Sequence, residues 1–225
     1  RQQLARLPDT EPAARYVEHV RESAFYQRLI DGELKWHWAA ARMVSDDPAK
    51  GLRQADPEDF LVDELRDFIG QPQQTFNVVS PYFVPTEKGV EFFSRLAQQG
   101  VKVQILTNSL EATDVAAVHS GYAKSRVDLL KAGVMLFEMR KTDQAEAAQQ
   151  NKRNRMLGNS GSSLHTKMFS VDSDRVFVGS FNFDPRSVNL NTEMGFLIHS
   201  TSLAKQIDKD FQSLPSIAYE VILDE

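Results

Sequence analysis

Between residues 76 and 139 the chain alternates apolar runs with helix-period segments, and that alternation limits the folds open to it. Residues 76–79 read as a buried strand, 86–99 as a helix, 101–106 as a second strand, 114–132 as a second helix and 134–139 as a third strand. Strand and helix in strict turn predict an α/β domain, a mostly parallel central β-sheet flanked by helices. Further apolar runs at 164–171 and 175–179 flank the turn Asp172-Ser173-Asp174 and read as a hairpin. In sheets of this kind ligands gather at the carboxyl ends of the strands. Tyr82, Asn108 and Ser109 follow such ends and are expected to line a cleft, with Tyr122 of the second helix as a further substrate contact.

The hairpin carries a dense set of polar residues. His165, Lys167, Asp172, Gly179, Ser180 and Asn182 fall in the spacing H-x-K-x4-D-x6-G-S-x-N. Six fixed identities in one window carry far more weight than a lone glycine motif. Residues two apart on a strand share a face, so His165 and Lys167 are expected to project together. An imidazole attacks phosphorus or moves a proton near neutral pH. A lysine beside it is a compact cation for non-bridging phosphate oxygens. Ser180 and Asn182 add a hydroxyl and an amide, and Gly179 permits close backbone approach. Asp172 reads as an acceptor at the hairpin turn. The chemistry of this set calls for no metal and no cofactor.

The window resembles the signature of the phospholipase D superfamily, whose members split phosphodiesters through a phosphohistidine. Around it, P-Y-F-V-P at 81–85, T-N-S-L-E-A-T-D at 107–114, L-L-K-A-G-V-M-L-F-E at 129–138 and G-S-F-N-F-D-P-R-S-V-N-L-N-T-E-M-G at 179–195 are similar to bacterial cardiolipin synthases. The resemblance runs from about Trp36 onward. It implies a phospholipase D-like sandwich, with His165, Lys167 and Asp172 in the catalytic motif and Ser180 and Asn182 at the substrate. Glu193, downstream, is implied to hold His165; a carboxylate on one ring nitrogen fixes the tautomer and raises the basicity of the other. The implied reaction transfers a phosphatidyl group, with phosphatidylethanolamine as donor, to phosphatidylglycerol. The implied location is the cytoplasmic side of the bacterial inner membrane, peripherally bound.

One departure stands out: such sites use two motifs and this chain has one. None of the other histidines, His19, His37, His119 and His199, is followed two residues later by lysine. A single imidazole cannot conveniently hold the phosphoryl group and shuttle the proton. The chain opens at Arg1 and closes on an apolar run at 218–223, so it reads as the carboxyl-terminal half of a two-motif enzyme. The upstream histidine would then be the nucleophile and His165 the general acid and base. The rival is a one-motif phosphodiesterase, nuclease or phospholipase D that completes its site in a homodimer. A third class is a silent lipid-binding or partner-docking domain.

Charge argues against nucleic acid as substrate. The formal net charge is −5 and no basic stripe is visible, whereas nucleic-acid binding leans on many lysine and arginine contacts. No apolar run approaches the ~20 residues of a membrane-spanning helix, and the absence of cysteine rules out disulfides. We expect a helical connecting segment over 1–32 and the catalytic domain over 33–225. Within the first, 11–30 has an amphipathic pattern. Trp36 and Trp38 are expected as a core pair on a strand running to Val44, ended by Asp46-Asp47-Pro48. Residues 59–69 read as a helix, and 141–163, with the basic cluster Lys152-Arg153-Asn154-Arg155, as an entry loop leading to His165.

Overall fold

The computed structural model describes residues 17–18, 21, 23–33, 36, 38–141 and 164–224. They belong to two compact units, 1–38 and 39–225. The basic cluster at 152–155 lies outside the described residues, as does most of the 11–22 part of the helix expected over 11–30. In the first unit, helix α1 (Ala24–Ile30) starts afresh behind Ser23, whose extended backbone breaks any longer helix and whose hydroxyl accepts from Tyr26 N–H. Trp36 and Trp38 are 71% and 94% exposed and precede the first strand, so the expected core pair is not formed.

The second unit is built on one eight-stranded sheet. Its strands are β1 (Ala40–Ser45), β2 (Thr75–Val79), β3 (Lys102–Asn108), β4 (Met135–Met139), β5 (Met168–Val171), β6 (Arg175–Gly179), β7 (Met194–His199) and β8 (Ala218–Val221), in the order β1-β7-β6-β5-β2-β3-β4-β8. The α/β class stands, but the mostly parallel sheet does not. Only β2–β3 and β3–β4 are parallel, and the other five described pairings are antiparallel. Helical crossovers enforce parallel pairing only across β2 to β4. Beyond Leu164 a short turn joins β5 to β6, and the segment carrying α6 returns the chain as β7 antiparallel beside β6.

Helices cover both faces, which explains the almost unbroken apolar strands at the centre. The helices are α2 (Leu61–Ile69), α3 (Glu87–Gln98), α4 (Ala116–Ala123), α5 (Arg126–Lys131), α6 (Pro185–Asn189) and α7 (Thr201–Gln212). On one face Phe76, Val78, Ile105, Phe169 and Phe177 pack against Leu65, Phe93 and Leu129 of α2, α3 and α5. On the other, Val79, Leu106, Phe137, Met168 and Val176 meet Ala204, Ile207 and Phe211 of α7. The period-two alternation along each strand sorts side chains between these layers. The expected helix over 114–132 is two helices, α4 and α5, parted at Lys124-Ser125.

Two glycines set the sheet beside the motif. Gly179 and Gly195 face each other across β6 and β7. A Cβ on Gly195 would overlap the Phe177 ring and sit 2.8 Å from Val178 O. Gly195→Ala is therefore expected to cost about 1–3 kcal/mol of stability, because the buried Phe177 ring has nowhere to go. A lowered urea midpoint with unchanged slope checks this.

Candidate functional site

The chain reaches the site under tight control. Asn108, closing β3, clamps the peptide groups of Leu164: its Oδ1 accepts from Leu164 N–H at 3.0 Å and its Nδ2 donates to Leu164 O at 3.3 Å. His165 to Lys167 then run irregularly, not as strand, before β5 begins. Gly179 N–H donates to Lys167 O at 3.1 Å, which holds this segment against β6. Lys167 Nζ turns back, donating to His165 O at 2.7 Å and lying 3.5 Å from His165 Nδ1. The two side chains are thus neighbours, as expected, but because Lys167 folds back on His165 rather than through a shared strand face. Burial pushes the Lys167 ammonium pKa down, while Glu193 and Asp114 pull it back up.

His165 and Lys167 open into a cavity of about 450 Å³ shared with Thr166, Val178, Gly179, Ser180, Met194, Gly195 and Phe196. Its apolar wall is partly exposed: Val178 and Phe196 are cross-strand neighbours on β6 and β7, and Met194 stands on β7 beside them. Polar reactive groups therefore face an apolar strip, which suits a ligand with a charged end and a greasy body.

Ser180 Oγ donates to Glu193 Oε2 at 2.5 Å and accepts from Met194 N–H at 3.0 Å. Glu193 is buried, and its Oε1 takes Ser187 Oγ–H at 2.7 Å and Asn191 Nδ2 at 3.2 Å. Among the described residues Glu193 makes no hydrogen bond to His165; it reaches the cavity through Ser180. Asn182 is also buried, its Oδ1 accepting from Tyr82 N–H at 3.3 Å, so it ties two loops together and does not line the cavity. Tyr82 donates its hydroxyl to Asp114 at 2.8 Å. Desolvation first, then the Asp114 and Asp184 carboxylates, push the Tyr82 pKa up to about 12.

Tyr122, expected at the substrate, and Asp172, counted in the catalytic motif, both lie away from the cavity. Tyr122 is 1% exposed, its ring edge-on to Phe83 in the core, because α4 turns this face toward the sheet. Asp172 stands at the far end of β5 from His165. Its carboxylate collects the N–H groups of Gln73, Gln74 and Thr75 and pairs with Arg175 at 3.4 Å, locking the β5–β6 turn to the start of β2. Its placement matches the turn acceptor read from the sequence and puts it away from His165 and Lys167.

Sequence reasoning passed over Asp114, Asp184 and Ser187. Asp184 caps α6, its Oδ1 accepting from Arg186 and Ser187 N–H at 2.7 and 3.0 Å. The D-P-x-S pattern was a legible cap signal. Asp114 carried no such pattern; only the fold brings it beside Tyr82.

The family described as "Cardiolipin synthase, PLD-like domain" matches residues 65–215. The chain belongs to that family. It is 48% identical, over 93% of its length, to cardiolipin synthase C of Escherichia coli (strain K12) and covers 44% of that protein. It thus spans less than half of the curated relatives it matches. Among solved structures, the phosphatidylserine synthase of Haemophilus influenzae superposes with a TM-score of 0.57 at 17% identity, over 82% of this chain and 41% of that one. The phospholipase D family member Nuc of Salmonella typhimurium superposes with a TM-score of 0.55 at 14% identity, over 83% of this chain and all of that one. At these identities the superpositions speak for the fold, a phospholipase D-like sandwich. No described helix of this cardiolipin synthase family member is long and apolar enough to cross a membrane.

Proposed function

We propose that this chain supplies one half of a phosphatidyltransferase site that makes cardiolipin at a membrane surface, bound peripherally on the cytoplasmic face of a bacterial inner membrane. The observation that carries it is the His165–Lys167 pair opening onto the apolar strip of Val178, Met194 and Phe196. Its likeness to a cardiolipin synthase over most of the chain supports the same substrate class. The partner is an upstream half with a second motif or a second copy of the chain.

In this reading a partner histidine attacks the phosphorus of phosphatidylethanolamine. The P–O bond to ethanolamine breaks, and His165, as general acid, gives the departing oxygen its proton. The hydroxyl of phosphatidylglycerol then attacks the phosphohistidine, passing its proton to His165 as the P–N bond breaks. Lys167 balances charge on the non-bridging oxygens throughout. Ser180, its hydroxyl proton given to Glu193, forms the wall beside the phosphate rather than a donor to it, and Tyr82 and Asn182 shape the neighbouring loop.

Vesicles of phosphatidylethanolamine and phosphatidylglycerol test the reading, with ethanolamine, glycerol and cardiolipin followed together. Equal amounts of ethanolamine and cardiolipin are expected. Glycerol in place of ethanolamine would change the donor. Plasmid cleavage without cardiolipin would instead favour the one-motif nuclease.

A further inference from the structure

A second network of charges lies directly behind the cavity. Lys50 and Asp46 are both fully buried at their side chains and pair at 2.9 Å. Lys50 follows β1 on a 3₁₀ turn (Pro48–Leu52), and its ammonium also donates to Ser187 O at 2.9 Å and lies 4.6 Å from the centre of the Phe60 ring. A buried ammonium needs such partners, since desolvation penalises it heavily. Yet an apolar side chain of similar volume often fills such a place without loss of stability. Stability alone therefore does not account for a charge here.

The partners of the pair suggest what does. Asp46 N–H donates to Glu193 O at 2.8 Å and Glu193 N–H donates to Asp46 Oδ2 at 2.9 Å, so Asp46 holds both peptide groups of Glu193. Asp46 Oδ1 takes Leu61 N–H at 2.7 Å, anchoring the carboxylate to α2. Lys50 holds the carbonyl of Ser187, whose hydroxyl in turn holds Glu193 Oε1. Backbone and side chain of Glu193 are thus gripped from one ion pair, and Glu193 grips Ser180 on the cavity wall.

We infer that Lys50, acting through Asp46 and Ser187, is a positioning residue that aims the Glu193 carboxylate at Ser180 beside His165. The inference rests on the proposed seating of the phosphate against the wall that Glu193 and Ser180 fix beside His165. A carboxylate held from two sides keeps the serine hydroxyl in one orientation, and errors of about 1 Å in such supports cost rate rather than affinity.

The test uses the complete protein, with phosphatidyl transfer and the hydrolysis of bis(p-nitrophenyl) phosphate measured side by side, well below each variant's melting midpoint. Lys50→Met is expected to lower kcat at least tenfold on whichever substrate is turned over, with KM within twofold. The paired variant Asp46→Asn/Lys50→Met leaves no lone buried charge but turns the new amide NH2 toward Leu61 N–H or Glu193 N–H; it is expected to recover part of the melting midpoint but not kcat. Added to Glu193→Gln, Lys50→Met is expected to change kcat by less than twofold, because both act at one point. Unchanged kcat in folded Lys50→Met, recovery of kcat in the paired variant, or effects that multiply with Glu193→Gln would each overturn the inference. Loss confined to the chromogenic diester, with no phosphatidyl transfer in the wild type, would uphold the positioning role and remove the lipid reading. Absence of turnover on both substrates would overturn both.

Discussion

His165→Ala is expected to reduce turnover by ~10³-fold or more while leaving the fold intact. The imidazole is exposed and belongs to neither hydrophobic cluster, so its removal opens no cavity in the core. The group that Lys167 holds most closely at His165 is the main-chain carbonyl, which alanine retains. Exposed substitutions of this kind move stability by about half a kcal/mol at most. Steady-state rates together with a thermal melt check both halves of the statement. A folded His165→Ala protein with the wild-type rate would take His165 out of the reaction.

Lys167→Met carries the second large effect, a loss of ~10²–10³-fold in kcat, by analogy with removing one charge-stabilising donor from a transition state. The ammonium lies within 3.5 Å of the imidazole and opens into the same cavity, so no other described cation on that wall takes its place. Its environment also sets a pH signature. Desolvation lowers the Lys167 pKa below the ordinary 10.5, so the charged form is complete well below that pH and is lost earlier than for a surface lysine as pH rises. The part of the alkaline limb of kcat that belongs to the ammonium is expected below 10.5, and Lys167→Arg, charged throughout, is expected to remove that part, leaving any limb set by the general acid. An alkaline limb unmoved in Lys167→Arg would assign it to another group.

Much of the fold was legible because local pattern and tertiary packing agree in the centre of the sheet. β2, α3, β4 and β6 fall within a residue or so of the spans read from periodicity, each a strand or helix with an unambiguous apolar face. The parallel expectation failed because it was drawn from residues 76–139 alone: the hairpin read at 164–179 pairs antiparallel with β2, and β1, β7 and β8 add further antiparallel pairings. Trp36 and Trp38 misled because two large aromatics at strand spacing look like core, yet β1 begins only at Ala40.

At the site, spacing singled out His165, Lys167 and Ser180, which meet in one cavity. Spacing says nothing of which way a side chain leans. Tyr122 therefore went to the core, Asn182 to a loop-to-loop bond and Glu193 to Ser180 and Ser187. The Asp46–Lys50 pair was hidden altogether: D-D-P-A-K reads as a polar turn, and only long-range contacts with Ser187 and Glu193 reveal it.

The measurement that bears most directly on the proposed mechanism is a trap for the covalent intermediate. The complete protein is mixed with vesicles whose phosphatidylethanolamine carries radioactive phosphorus, then quenched in alkaline detergent. A phosphohistidine mechanism predicts label on the protein that survives base, is released by acid and maps to a histidine, at up to one per assembled site. Cardiolipin formation without such an adduct, or with label on a serine or carboxylate, would contradict it.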